Sequence, residues 1–145
     1  KRVMYFWTSD NLSTENIAYL KSLPKKSEFT LEGFRIGVFH GRADNPNAKL
    51  FPSSPDSRFI ELGKNYPYDI HIMGHSHVPI HKVVAGIHFI NPGSVGRMFD
   101  GDPRTSFAIL KIISGEVAVE HFRIPYPVKD VVNGIKINSL PELYC

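Results

Sequence analysis

Short apolar runs broken by turn-forming residues fill the middle of this chain, and helical spacing shows near its two ends and once between them. Phe34, Ile36, Val38 and Phe39 predict a strand. With Phe29 to Leu31 before it and Glu32-Gly33 between, they predict a hairpin. Tyr68 to Met73 predicts another strand. Val78 to Val84 and Ile87 to Ile90 flank Ala85-Gly86, and Ser106 to Ile113 and Val117 to Ile124 flank Ser114-Gly115, giving two further hairpins. Ser13 predicts a helix start, with Ile17, Leu20 and Leu23 as its buried side and Pro24 as its stop. Ser57 to Lys64 and Val128 to Ile137 predict two more helices. Residues 41 to 56 are a loop of a length that is often functional inside a domain, and residues 93 to 104 are a second loop. High strand content, partly antiparallel, with helices near both ends, predicts stacked sheets flanked by helices.

Three of the strands end in chemistry. The Phe34–Phe39 run is followed by His40-Gly41, the Tyr68–Met73 run by Gly74-His75-Ser76-His77, and the Ile87–Ile90 run by Asn91-Pro92-Gly93-Ser94. An open sheet builds a site in this way, from loops at one end of its strands. Residues i and i+2 of a strand point the same way, so His75 and His77 are expected to face one pocket, the glycine allowing a sharp turn. Neutral imidazole is the commonest metal ligand, which makes His40, His75 and His77 candidate ligands. The other four of the seven histidines, His71, His81, His88 and His121, lack a glycine-marked turn and are expected at the surface or outside the ligand shell.

Three imidazoles suit one catalytic zinc with an open position. A two-metal phosphoryl site holds its ions about 3.5–4 Å apart and needs bridging anionic charge as well. Asp44, Asp69, Asp100 and Asp102 are the carboxylates nearest the loops in sequence, and none stands out as that bridge. Arg42 and Arg97 follow two of the loops and are candidates to hold a phosphate oxygen through the planar guanidinium.

Composition narrows the setting. One cysteine, Cys145, excludes an internal disulfide and fits a reducing, cytoplasmic location. No apolar run approaches the ~20 residues of a membrane span. A net charge of +3 without a dense basic tract gives no specific nucleic-acid signal. The chain starts at Lys1 and enters an apolar run, Val3 to Trp7, at once, so a piece of a longer polypeptide is expected.

His40-Gly41, Gly74-His75-Ser76-His77-Val78-Pro79 and Asn91-Pro92-Gly93-Ser94-Val95, in that order, resemble the second half of a calcineurin-like metallophosphoesterase, closest to the small bacterial and archaeal phosphodiesterases. Gly101-Asp102-Pro103-Arg104 and the following strand are similar to the C-terminal hairpin of that branch. The resemblance implies an α/β protein, a four-layer α/β/β/α sandwich of which residues 1–145 form the C-terminal part. It implies hydrolysis of phosphoesters, expected to be phosphodiesters, by water activated at a binuclear centre. His40 and His75 would ligate one ion and His77 the other. Manganese is expected, with iron, zinc or nickel accepted by the same ligands.

The family's first-half motifs, Asp-x-His, Gly-Asp and Gly-Asn-His/Cys-Asp, are not found ahead of His40. Asp69-Ile70-His71 and Gly101-Asp102 spell two of them in places that do not suit the centre. The N-terminal metal-binding portion, with the proton-handling residue, is therefore expected outside this chain as its natural partner. A homo-oligomer is expected to cover the exposed sheet edges. The alternative to an enzyme is an inactive scaffold or protein-binding module on the same fold. A cupin-type His-x-His site fits poorly, because His81 and Lys82 stand where cupins carry glutamate.

Overall fold

The computed structural model describes residues 2–141, so Cys145 lies outside the described residues. In chain order the elements are α1 (Arg2–Asn11), α2 (Thr14–Ser22), β1 (Lys26–Leu31), β2 (Phe34–Phe39), α3 (Asp56–Asn65), β3 (Ile70–Met73), β4 (Ile80–Val84), β5 (Ile87–Asn91), β6 (Thr105–Ile113), β7 (Glu116–Ile124) and α4 (Val128–Ile137). Two compact units result, one from Lys25 to Pro125 and one from the segments on either side.

The larger unit carries a five-stranded sheet in the order β1-β2-β3-β5-β4 and a two-stranded sheet, β6-β7. The three predicted hairpins form, each closed by a two-residue turn with both residues at positive φ (Glu32-Gly33, Ala85-Gly86, Ser114-Gly115). That turn geometry matches the twist of the strands it joins. β2, β3 and β5 are neighbours and run parallel, with Ile36 beside Ile70 and Ile70 beside His88.

The central strands are covered on both faces, as parallel strands generally are. On one face Ile36, Ile70 and Ile90 pack with Leu110, Ile112, Val117 and Val119 of the second sheet. On the other, Met73, Ile80, Val84 and Phe89 pack with Phe59 and Leu62 of α3. Phe59, Leu62 and Gly63 recur at helical spacing, which gives α3 one buried side. Lys82 of β4 pins the start of α3: its ammonium is 2.6 Å from the Asp56 carboxylate and 4.8 Å from the centre of the Phe59 ring. Helix, sheet and sheet thus form three stacked layers in this unit.

In the smaller unit, Ser13 caps α2, its hydroxyl accepting from the Asn16 N–H at 3.2 Å. The apolar side expected to be buried is not: α2 buries no residue, and Leu20 and Leu23 are exposed. Periodicity fixes which residues share a helix face, but it does not supply a partner for that face. No helix among the described residues is long and apolar enough to cross a membrane.

Candidate metal centre

The parallel arrangement of β2, β3 and β5 sends the residues after Phe39, Met73 and Asn91 to one end of the sheet. The first two loops are tied together there, the Gly74 N–H donating to the His40 carbonyl at 2.9 Å. Glycine is required beside His40: a Cβ on Gly41 would lie 2.4 Å from the Pro46 carbonyl oxygen. The chain after His40 therefore doubles back tightly on residues 46–48.

The double-histidine loop departs from the strand geometry expected of it. His75 and His77 have φ of +63° and +60°, in the left-handed region that costs non-glycine residues energy and clusters at functional sites. Strand alternation ends at Met73, so two left-handed residues, not a continuing strand, set the ring directions. His75 turns to His40, and His77 turns to the 92–104 loop.

Asn91 holds the loop in this shape. Fully buried at the end of β5, it donates from Nδ2 to the Gly74 carbonyl at 2.8 Å and to the buried Ser76 hydroxyl at 2.9 Å. Its Oδ1 accepts from the Gly93 N–H at 2.9 Å. The sequence marks Asn91 as a loop former and gives no sign of this bracing role. Ser94 shapes its loop too, its hydroxyl accepting from the Arg97 N–H at 3.1 Å.

His40 Nε2 and His75 Nδ1 stand 3.0 Å apart, with ring centroids 4.8 Å apart. Two imidazoles meeting head-on at that nitrogen separation, each nitrogen about 1.15 Å from its ring centre, would place the centroids roughly 5.3 Å apart. The observed pair is bent. Two nitrogens 3.0 Å apart are within the span of two imidazoles on one ion at the ~2.0–2.1 Å of a zinc–imidazole bond. The protein contains its own control. His81 Nε2 and His88 Nδ1 are also 3.0 Å apart, but their centroids are 5.3 Å apart and their planes differ by 16°. That pair is head-on and coplanar, the geometry of an N–H···N hydrogen bond. The pair at the strand ends departs from that straight geometry, and its nitrogen separation is compatible with a shared divalent ion.

Burial, and then electrostatic repulsion from the neighbouring His40 ring and Lys49, hold His75 below the ordinary imidazole range, which favours the neutral, ligating form. His77 is placed separately. Its Nδ1 donates to the Arg97 carbonyl, leaving Nε2 as the ring's lone-pair donor. Among the described residues no group of three His, Cys, Asp or Glu side chains closes around an ion unaided.

The remaining candidates sort by placement. One edge of the Arg42 guanidinium, Nε and Nη2, donates to both oxygens of the Asp44 carboxylate, so Arg42 holds its own loop. Arg97 lies over the Phe99 ring, 5.3 Å from its centre. Lys49 lies over the same ring at 5.8 Å; the sequence offered no periodicity or motif to single out Lys49 or Phe99. Asp69 sits at the far end of β3 from His75, and its carboxylate accepts from the Arg35 N–H at 2.7 Å. Asp102 is paired with Arg104 at 2.7 Å and Asp100 with Arg123. His71, expected at the surface or outside the ligand shell, is wholly buried among Phe39, Tyr68 and Phe89, with no hydrogen-bond partner for either ring nitrogen.

Comparison with known proteins places residues 10–115 under the model of the calcineurin-like phosphoesterase superfamily domain. The chain is 30% identical to the uncharacterized protein MJ0912 of Methanocaldococcus jannaschii over 157 aligned residues, which cover 97% of this chain and 61% of that protein. The structure of a metallophosphoesterase from Sphaerobacter thermophilus matches with a TM-score of 0.79 and 26% identity, over 96% of this chain and 64% of that one. The hypothetical protein PH1004 from Pyrococcus horikoshii OT3 shares the fold at a TM-score of 0.83 and 21% identity, over 93% and 54%. This chain thus spans a little over half to just under two thirds of the length of these relatives.

Proposed function

Because this chain belongs to the calcineurin-like phosphoesterase superfamily, we propose that the whole protein hydrolyses phosphoesters, phosphodiesters in particular, at a centre of two divalent metal ions. The observation that carries the reading is the bent His40–His75 pair at the ends of two adjacent parallel strands. In this reading His40 and His75 hold one ion and His77 Nε2 holds the second, with carboxylate ligands and the proton-handling residue supplied by polypeptide outside this chain. The ions would supply Lewis-acid stabilisation of phosphoryl oxygens and an acidified water. Lys49 and Arg97 border the same loops and offer positive charge to the phosphoryl oxygens. The left-handed backbone at His75 and His77, braced by Asn91, keeps the rings oriented before any ion or substrate arrives. The single cysteine supports work in a reducing compartment such as the cytoplasm.

The test is hydrolysis of bis-p-nitrophenyl phosphate and of p-nitrophenyl phosphate by the whole protein, with elemental analysis of bound metal. The expected result is two divalent ions per chain, faster cleavage of the diester, loss of turnover with EDTA, and a fall of about a hundredfold or more on His75→Ala, at the upper end of what loss of an orienting or ligating group costs. Unchanged metal content and turnover in His75→Ala would overturn the assignment. Absence of both metal and turnover in the unaltered protein would favour the scaffold reading.

A further inference from the structure

Phe99 is an apolar ring left half exposed, at 53%, in a loop of Gly, Pro and Asp, and it belongs to neither core cluster. Three side chains nevertheless gather on it. The His77 ring stacks on it with centroids 5.0 Å apart and planes 22° apart, and Arg97 and Lys49 lie over it at 5.3 and 5.8 Å. His77 is the one candidate ligand with no imidazole partner of its own. Two restraints act on its ring instead. The Arg97 carbonyl can only accept, so it fixes the proton on Nδ1 and the lone pair on Nε2. That hydrogen bond still allows the ring to swing about its Nδ1···O axis. The stack against Phe99 fixes the plane, and with it the direction of the Nε2 lone pair.

We propose that Phe99 is a positioning residue for His77, and that the 92–104 loop, through the Phe99 ring and the Arg97 carbonyl, sets the affinity of the metal site that His77 serves. This rests on the phosphoesterase reading above. It goes beyond that reading by making one of the two ions sensitive to a loop that contributes no ligand itself. Groups that orient ligands in this way are worth roughly 10–100-fold in metal affinity.

The test uses the whole protein, stripped of metal and titrated with Mn²⁺ by calorimetry, as the unaltered form, Phe99→Ala and Phe99→Tyr. Phe99→Ala should weaken one of the two Mn²⁺ sites by about tenfold or more and leave the other near its original affinity, and Phe99→Tyr should restore it. Nitrogen-15 NMR of the metal-free protein supplies a second readout. His77 should keep its Nδ1–H tautomer in both forms, held by the Arg97 carbonyl, with sharp ring signals in the unaltered protein and exchange-broadened ones in Phe99→Ala, where the ring plane is no longer fixed. Mn²⁺ affinities at both sites unchanged in Phe99→Ala, with an unchanged His77 spectrum, would overturn the proposal, as would failure of Phe99→Tyr to rescue. If the unaltered protein took up no Mn²⁺, the phosphoesterase reading would fall, and the NMR comparison would still decide whether Phe99 orients the ring.

Discussion

Acidification should destabilise this protein through His71, and the size of the effect follows from its surroundings. The ring is wholly buried among Phe39, Tyr68 and Phe89, and neither nitrogen has a partner. Burial lowers its pKa from 6.5 to about 4; the Tyr66 backbone, nearby but outside hydrogen-bond geometry, acts in the opposite sense. The unfolded chain takes up this proton near pH 6.5, whereas the folded chain resists it until about pH 4. Stability from this group is therefore complete above pH 6.5 and is lost as the pH falls toward 4, where the deficit approaches about 3 kcal/mol. Between pH 7.5 and 5.0 the loss is about 2 kcal/mol. Other groups titrate in the same range, so the measurement is a difference. Urea unfolding of the unaltered protein and of His71→Leu is compared at both pH values. The advantage of the leucine variant should widen by about 2 kcal/mol on acidification, since leucine does not titrate. A gap that stays constant within about 0.5 kcal/mol would show that His71 is solvated or hydrogen-bonded and takes up its proton in the folded chain as readily as in the unfolded one.

Two further substitutions probe how the loops are held. Asn91→Ala strands the Gly74 carbonyl, the Ser76 hydroxyl and the Gly93 N–H; it should cost about 2–4 kcal/mol in urea unfolding and weaken Mn²⁺ binding by tenfold or so, whereas retained stability and affinity would show that the double-histidine loop needs no brace. Gly41→Ala drives a methyl group to 2.4 Å from the Pro46 carbonyl oxygen; the 41–55 loop must shift, costing about 1–3 kcal/mol and Mn²⁺ affinity together, and calorimetry showing unaltered binding would count against the tight turn after His40.

What could be read from the sequence follows from local rules. The three hairpins were legible because each turn pairs a glycine with one other residue between alternating strands. The gathering of three loops at one end of the sheet was legible because three strand-like runs each stop at polar, glycine-marked residues. The directions of His75 and His77 were not, since they depend on two left-handed residues that composition does not announce. His71 reads as an ordinary strand residue, and only the rings of Phe39, Tyr68 and Phe89 around it show that its strand is buried on both faces. The role of Arg42 had a visible signal, an aspartate two residues on, which takes the guanidinium. Phe99 and Lys49 lie in loops without periodicity, and their meeting is a product of tertiary structure. The uncovered side of α2 marks the same boundary, because a helix pattern says what must be covered and leaves open what covers it.

The most direct measurement is an anomalous difference map from crystals of the whole protein grown with Mn²⁺. A shared ion at His40 and His75 would give a peak within bonding distance of both His40 Nε2 and His75 Nδ1. A map with no peak there, and the two nitrogens joined by a hydrogen bond as in the His81–His88 pair, would contradict it.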